Sequence, residues 1–344
     1  MMKIILGFPL TVLLILLLLL PDVGEAIGVC YGTNGNNLPV ASEVVSLYKS
    51  NDIGGMRIYN TDGATLNSLK GSNIEVIMEV AEVDIINIAK YKKAAKGWVK
   101  YNVINFWPAV KFKYISVGNE LILNNSIEKY ILQAIKNIEA ALSIAGVGGM
   151  IKVSTAVDMG VLYKLYPKRP PSRGVFLKSA ATYLKPIIKH LAKTSAPLLF
   201  NVYPYFTYIK NKAQIPLEYA MFNASGTLVT DGQYSYNNLF DVLVDSMYVA
   251  MEKASSDGSQ VPIVVSESGW PSRKGDSANI TNAQTYNSNL IHHVKKGTPR
   301  RSGKPIETYI FAMFNENQNP AGYERHWGLF YPNKNPVYPI NFYC

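Results

Sequence analysis

The sequence predicts a single (β/α)8 barrel of the TIM type. Eight short runs of apolar and β-branched residues recur along the chain, and the segments between them leave room for helices. Strands that are apolar on both faces and alternate with helices form parallel sheets covered by helices. A doubly wound open sheet is the alternative, but it calls for a glycine-rich phosphate loop, and the chain has no G-x-G-x-x-G.

The first segment of the chain precedes the barrel. Residues 1–26 combine a basic start, an apolar run over 4–20 and small residues at Gly24 and Ala26, which is the pattern of a secretory signal peptide cut after Ala26. An uncleaved membrane anchor is the alternative, because the run approaches the length that spans a bilayer. We expect a signal peptide over 1–26 and one catalytic barrel domain over 27–344.

The eight apolar runs predict the barrel strands in chain order: 27–32, 55–60, 74–80, 114–120, 152–158, 197–205, 261–270 and 308–316. Helical spacing is clearest in two of the intervening segments, over 39–49 and 127–142. The apolar residues of the second segment share one face, as expected for a helix that packs on a barrel: Ile127, Tyr130, Ile131, Ala134, Ile135, Ile138 and Leu142.

The chain is basic, with 34 Lys and Arg against 24 Asp and Glu and a formal net charge of +10 at pH 7. Positive charge attracts anionic surfaces. Here the basic residues are scattered, and the export signal argues against a nucleic-acid partner. We therefore expect a solvated basic surface near a negatively charged cell wall. We expect no nucleic-acid partner, no membrane association after signal removal, and a monomeric protein.

Cysteine usage and sequons agree with export. An exported chain whose two cysteines are Cys30 and Cys344 has no disulfide framework. The two would pair if the termini meet, but we favour a buried free thiol at Cys30. N-x-S/T sequons occur at Asn124, Asn223 and Asn279.

Two glutamates occupy the predicted strand ends where a barrel places its functional residues. Glu120 closes the fourth run and Glu267 the seventh, so closure brings them to one rim on facing sides of a cleft. Such a pair hydrolyses a glycosidic bond when one carboxyl protonates the leaving oxygen and the other attacks the anomeric carbon, and a separation of about 5–5.5 Å gives retention. The acid must stay protonated while the nucleophile stays ionised.

Other side chains near the strand ends are candidates for binding a sugar. Asn119 is placed to hydrogen-bond a hydroxyl next to the reacting carbon. Single aromatics more often pack in the core, but several here would offer flat faces to pyranose rings: Tyr31, Tyr59, Tyr203, Tyr205, Phe206, Trp270 and Phe314. The histidines lack metal-ligand spacing and neither cysteine lies in a C-x-x-C, so we expect no metal and no cofactor.

Stretches in order along the chain carry a family resemblance: GVCYGTNGNNLP (28–39), MRIYN (56–60), YISVGNE (114–120), NVYPYF (201–206), VVSESGWPS (264–272), TYNSNLIHHV (285–294), GTPRR (297–301), ETYIFAMFNENQ (307–318) and HWGLFYPNKNPVYPI (326–340). With them the chain resembles the plant β-1,3-glucanases of glycoside hydrolase family 17, and among these the basic, pathogenesis-related class. The family implies an endo-acting, retaining hydrolase of β-1,3-glucan, either callose or fungal wall glucan.

The resemblance also implies roles for individual residues. Glu120 would be the general acid/base, Glu267 the nucleophile, and Asn119 a ligand of the sugar under attack, with Glu316 and Glu324 as supporting acidic residues. The chain lacks the tail typical of vacuolar members, so the resemblance implies an extracellular enzyme of the apoplast or cell wall.

One departure and three alternatives bear on this reading. Asn319 stands where the family commonly has lysine, so a cation expected near Glu316 is missing. A β-1,3-1,4-glucanase would share both glutamates. A glucan-binding protein would keep the fold and lose the catalytic activity, since fold does not prove activity. Transglycosylation would replace water with a sugar hydroxyl.

Overall fold

The computed structural model describes residues 27–123, 126–163 and 170–342. The expected signal peptide, the sequon at Asn124 and Cys344 lie outside these residues. Ten strands occur in the described part of the chain: β1 (Ile27–Tyr31), β2 (Gly55–Ile58), β3 (Glu75–Val80), β4 (Lys111–Asn119), β5 (Lys152–Val157), β6 (Leu198–Asn201), β7 (Val229–Asp231), β8 (Tyr234–Tyr236), β9 (Ile263–Ser268) and β10 (Thr308–Ile310).

The α-helices of the described residues alternate with the strands: α1 (Ala41–Ser50), α2 (Gly63–Leu69), α3 (Glu82–Lys90), α4 (Lys92–Val99), α5 (Glu128–Ile144), α6 (Lys178–Thr194), α7 (Pro204–Lys210), α8 (Leu217–Ala220), α9 (Leu239–Ala254) and α10 (Ile280–His293). A π-helical turn, Lys100–Ile104, continues α4. Short 3-10 segments complete the elements: Met159–Val161, Pro171–Arg173, Gly258–Gln260, Pro299–Arg301 and Tyr323–Arg325.

Eight of the strands close into a parallel barrel in the order β1-β2-β3-β4-β5-β6-β9-β10, with β10 returning to β1. Strands β7 and β8 form an antiparallel hairpin outside it. The sequence prediction of a (β/α)8 barrel is therefore confirmed, and each of the eight apolar runs overlaps one barrel strand, although β4 begins before its run, at Lys111. The helices predicted over 39–49 and 127–142 correspond to α1 and α5.

Two of the strands, β6 and β10, cover less than half of their apolar runs. The run 197–205 ends as a strand at Asn201, because Pro204 opens helix α7 at a position where its missing N–H costs nothing. The run 308–316 leaves the sheet after Ile310, and its continuation pairs through Phe314 with Phe330 in the C-terminal segment.

The barrel interior is closed below the rim by a small apolar cluster that includes Cys30 and Tyr309. The Tyr309 ring lies directly against Gly28, where a Cβ would collide with it. Cys30 is a buried free cysteine, as expected, and its Sγ donates to Ser266 O at 3.3 Å. Burial raises the pKa of this thiol, so it stays protonated.

In the described part of the chain, none of the helices has the length and apolarity that a bilayer span requires.

Candidate active site

The end of β4 turns two neighbouring side chains toward the same cleft. Neighbours on a strand normally point to opposite faces. Here the register of β4 against β5 shifts just before Asn119, and both Gly118 and Glu120 have positive φ, 77° and 59°. The Glu120 N–H still donates to Ala156 O at 2.9 Å. This irregularity, a common device beside active sites, lets Asn119 and Glu120 act together.

Asn201, the last residue of β6, links the two side chains. It is fully buried, and its Nδ2 donates to Asn119 Oδ1 at 2.9 Å and to Glu120 Oε1 at 2.7 Å. Its Oδ1 accepts from Ser266 Oγ at 2.8 Å and from Arg57 Nη1 at 2.9 Å. All four polar contacts of this amide are thus directed at the reaction centre, which fixes the orientation of Glu120.

Glu267 lies on β9 with its carboxylate surrounded by donors. Tyr59 OH donates to Oε1 and Tyr203 OH to Oε2, both at 2.7 Å, and Arg57 Nη1 lies 2.9 Å from Oε1. Burial holds the pKa of both tyrosines well above the usual range, so they remain donors. Both oxygens of Glu267 thus receive a hydrogen bond from a phenol, and Oε1 also faces a guanidinium, which fixes the orientation of the carboxyl group in the cleft.

Arg57, on β2, organises the floor of the site from a fully buried position. Besides Glu267 and Asn201, its Nη1 donates to Ser266 O at 3.0 Å, and its Nη2 donates to Asn119 Oδ1 at 2.9 Å. Sequence reasoning did not select Arg57 or Asn201 as site residues. The signal was present, because an arginine within an apolar strand run needs a buried partner.

Glu120 occupies a different environment from Glu267. Its side chain is reached from the cleft, yet the surrounding protein and the negative charges of Glu267 and Asp158 raise its pKa to about 7. The hydrogen bond from Asn201 and the charge of Arg57 act in the opposite direction but are weaker. The two carboxyl groups are thus differentiated in the way that an acid and a nucleophile in one cleft require.

The cleft shared by the two glutamates has a volume of about 550 Å³. Its walls carry the aromatic side chains of Tyr203, Phe206, Phe311 and Trp327, and Asp158 and Lys210 add charge on the β5 and β6 side. Phe311, Trp327 and Lys210 were not selected from the sequence. Within residues 27–123, 126–163 and 170–342, no group of three His, Cys, Asp or Glu is arranged to hold a metal ion.

Several aromatic side chains that we expected to contact a sugar pack inside the protein instead. Tyr205 and Trp270 are both 0% exposed and stack edge to face at 5.0 Å, and Trp270 Nε1 donates to Ser277 O. Neither ring is open to a ligand, which corrects the expectation that they contact a sugar. Tyr31 and Phe314 are also buried against each other, at 6.3 Å, outside the residues that line the cleft. Tyr59 and Tyr203 reach the site, but as hydrogen-bond donors to Glu267.

The two additional acidic residues lie in different places. Glu324 lines the cleft and accepts from Trp327 Nε1 at 3.1 Å. Glu316 is buried outside the cleft lining, with Oε1 accepting from Asn34 N at 2.6 Å, and burial raises its pKa. Asn319 contacts both residues: its Nδ2 lies 3.4 Å from Glu316 Oε2 and donates to Glu324 O at 3.2 Å.

Comparison with known proteins identifies the family of the chain. Residues 27–342 match the sequence profile of glycosyl hydrolases family 17. The chain belongs to glycosyl hydrolases family 17. As a family 17 member it is a glycoside hydrolase, and its barrel matches the fold of a solved plant glucanase structure.

Plant proteins are among the relatives with high sequence identity. The chain is 51% identical over 322 residues to a glucan endo-1,3-beta-glucosidase of Vitis vinifera, covering 92% of each chain. It is 48% identical to Lichenase-2 of Hordeum vulgare over 94% of this chain and 100% of that protein. A solved structure of a beta-1,3-glucanase and allergen of Cryptomeria japonica pollen superposes with a TM-score of 0.87 at 45% identity, covering 92% of this chain and 98% of that one.

Proposed function

We propose that the protein is a secreted, endo-acting, retaining hydrolase of β-1,3-linked glucan, with Glu120 as general acid/base and Glu267 as nucleophile. The observation that carries the proposal is the contrast between the two carboxyl groups. Glu267 is ringed by a guanidinium and two phenols, whereas the pKa of Glu120 is raised to about 7 in the same cleft. Relatives named for endo-1,3-beta-glucosidase activity support the choice of linkage. The export pattern over 1–26 supports secretion.

In the first step Glu267 attacks the anomeric carbon while Glu120 donates its proton to the glycosidic oxygen. The bond from carbon to that oxygen breaks, the shortened glucan leaves, and an ester joins the sugar to Glu267. In the second step Glu120, now ionised, takes a proton from water, whose oxygen attacks the same carbon and displaces Glu267. Arg57, Tyr59 and Tyr203 stabilise Glu267 as the leaving carboxylate.

Asn119 is suited to bind the hydroxyl next to the reacting carbon. Its Oδ1 already accepts from Arg57 Nη2 and Asn201 Nδ2. The amide is therefore oriented with Nδ2 as the group available to substrate. Phe206, Phe311 and Trp327 supply apolar surfaces along the cleft for the C–H faces of neighbouring sugars.

A second candidate is a β-1,3-1,4-glucanase. It is favoured by the 48% identity to Lichenase-2 of Hordeum vulgare, which covers 94% of this chain and 100% of that protein. Both glutamates would serve either substrate, so linkage preference depends on how the cleft accepts a bend in the chain.

The test is the release of reducing ends and the size of products from linear β-1,3-glucan and from mixed-linkage glucan. We expect short oligosaccharides from the β-1,3 polymer and β-configured new reducing ends at early times by NMR. Faster cleavage of the mixed-linkage polymer would support the second candidate. α-Configured ends would refute retention, products longer than the substrate would indicate transglycosylation, and binding without release would mean that the chain has lost turnover.

The environment of Glu120 also predicts the pH dependence of the reaction. A general acid must be protonated, and the pKa of Glu120 is raised from 4.5 to about 7, so activity persists through weakly acid pH and falls as pH rises past about 7. The measurement is kcat/KM on β-1,3-glucan against pH. An alkaline limb near the ordinary glutamate value of 4.5 would contradict the assignment.

A further inference from the structure

The outer surface on one side of the barrel carries lysines that take no part in the reaction. In sequence the basic residues are scattered, but the fold gathers six exposed lysines on the adjoining helices α3, α4 and α5 and on the turn that continues α4. We call this set the lysine face: Lys90, Lys92, Lys93, Lys96, Lys100 and Lys129. None of these side chains lines the cleft between the two glutamates.

One row of the lysine face runs along α4. Lys92, Lys96 and Lys100 are spaced by four residues, and the Lys100 N–H still donates to Lys96 O, so the helical geometry holds over the row. Successive members are about 6 Å apart along the helix axis, and like charges at this spacing destabilise a helix. Lys92 and Lys93 also occupy the first turn of α4, where the helix dipole repels positive charge and no acidic residue compensates it. The free protein therefore bears an electrostatic cost at this surface.

The surroundings do not balance this charge. Lysines elsewhere, such as Lys113, Lys212 and Lys334, each have a carboxylate partner at 2.6 or 2.7 Å. Among residues 27–123, 126–163 and 170–342, no lysine of the face forms an ion pair. The acids of α3, Glu82 and Asp84, lie at its far end, about 9–12 Å along the axis from its last lysine. On α5 one acid is buried and the other pairs with a histidine.

Tyrosine rings lie among these lysines. Lys90 Nζ and Lys129 Nζ flank the ring of Tyr130, at 5.7 and 5.3 Å from its centroid. Tyr91 and Tyr101, at the two ends of α4, are 61% and 64% exposed. An exposed tyrosine offers a flat apolar face and a hydroxyl, which suit the C–H face and the hydroxyls of a sugar ring. Ammonium groups beside open ring faces therefore fit an anionic carbohydrate.

We propose that the lysine face binds an acidic polysaccharide, a polymer whose sugars carry carboxylates, and holds the protein on that polymer with its cleft free. A regularly charged chain meets several ammonium groups at once and relieves their mutual repulsion. The choice of a polysaccharide over nucleic acid rests on the proposed secretion. The binding does not depend on the proposed catalytic roles, because the face lies outside the cleft lining.

The test is the binding of the mature protein to polygalacturonate, measured by calorimetry at several salt concentrations. The triple variant Lys92→Gln, Lys96→Gln, Lys100→Gln should bind about 10- to 100-fold more weakly at low salt, since each lysine near an anionic surface contributes a factor of roughly five. Wild-type affinity should fall as salt rises, because exposed charges are screened. The thermal unfolding temperature should not fall, since like charges are removed. If the triple variant does not fold, Lys96→Gln alone should weaken binding by roughly fivefold.

The matched control removes three exposed charges from separate parts of the surface: Lys49→Gln, Lys274→Gln and Lys304→Gln. This variant should change the affinity for polygalacturonate by less than about threefold, because its charges are dispersed. A loss equal to that of the row variant would overturn the proposal, since net charge alone would then account for binding. Absence of wild-type binding at low salt would overturn it as well.

Two further comparisons test the class of ligand. Tyr91→Ser combined with Tyr101→Ser should weaken binding to polygalacturonate but not to polyglutamate, which has carboxylates and no sugar rings. Unchanged binding of polygalacturonate by this variant would overturn the assignment to a polysaccharide. So would tighter wild-type binding to a DNA duplex or to phosphatidylserine vesicles than to polygalacturonate. Because every readout is binding, an inactive wild type would refute the proposed function and leave this inference standing.

Discussion

Glu267→Gln is expected to lower kcat on β-1,3-glucan by about 10⁴- to 10⁶-fold, because it removes the carboxylate that forms the covalent intermediate. Glutamine preserves the volume between Arg57, Tyr59 and Tyr203; its carbonyl oxygen can still accept from Arg57 and Tyr59, while its NH2 group can donate to the Tyr203 hydroxyl. Substrate affinity should change far less than turnover. The measurement is initial-rate release of reducing ends, with binding of an oligosaccharide followed by calorimetry.

Glu120→Gln provides the companion result, with a loss of about 10²- to 10⁴-fold for a missing general acid. The control is Glu43→Gln, which neutralises an exposed carboxylate on α1 that pairs with Lys334 at 2.7 Å. That variant should match the wild type. If Glu267→Gln retained more than about a tenth of wild-type kcat, a nucleophile at this position would be untenable.

Arg57→Met is expected to reduce the free energy of unfolding by about 3–5 kcal/mol, because it leaves buried carboxylates without their cation. Methionine fills similar space, so the loss reports charge rather than a cavity. Protonated carboxyl groups no longer need the cation, and the deficit should therefore shrink as pH falls below about 7, where Glu79, a buried neighbour of Arg57 at 3.6 Å, gains its proton. Urea unfolding at neutral and acid pH measures both effects.

Two further variants make the interpretation of Arg57→Met specific. Arg57→Lys keeps the charge but loses the planar fork that contacts Glu267, Asn201 and Asn119 together, so it should recover part of the stability and little of the activity. Arg273→Met removes an exposed arginine and should change neither. A destabilisation by Arg57→Met that is the same at every pH would mean that packing, not charge, accounts for the loss.

The barrel could be predicted from the sequence because its strands are buried on both faces and therefore appear as unbroken apolar runs. The two glutamates could be predicted because barrel closure places strand ends on one rim whatever the loops do. What could not be predicted are contacts that depend on the closed geometry. Arg57 bridges strands β2, β6 and β9, and no local pattern indicates which distant residues it will meet.

The same limit explains the errors among the aromatics. Tyr205 and Trp270 follow strand ends in sequence, as rim residues do. In the structure Pro204 starts α7, and the chain after Glu267 enters a turn, so both rings move behind the rim and pack on each other. Phe311 and Trp327 take their place in the cleft, and each lies in irregular backbone that carries no periodic signal.

The left-handed backbone conformation of Glu120 makes the requirements of catalysis and of folding stability conflict at this residue. Any residue other than glycine that adopts a φ of 59° raises the free energy of the folded state, by about 1–3 kcal/mol in typical cases. Any glycine substituted there would relieve that strain while removing the general acid. Selection for thermal stability alone would thus favour glycine at position 120 and an inactive enzyme. The glutamate persists only while turnover is itself under selection.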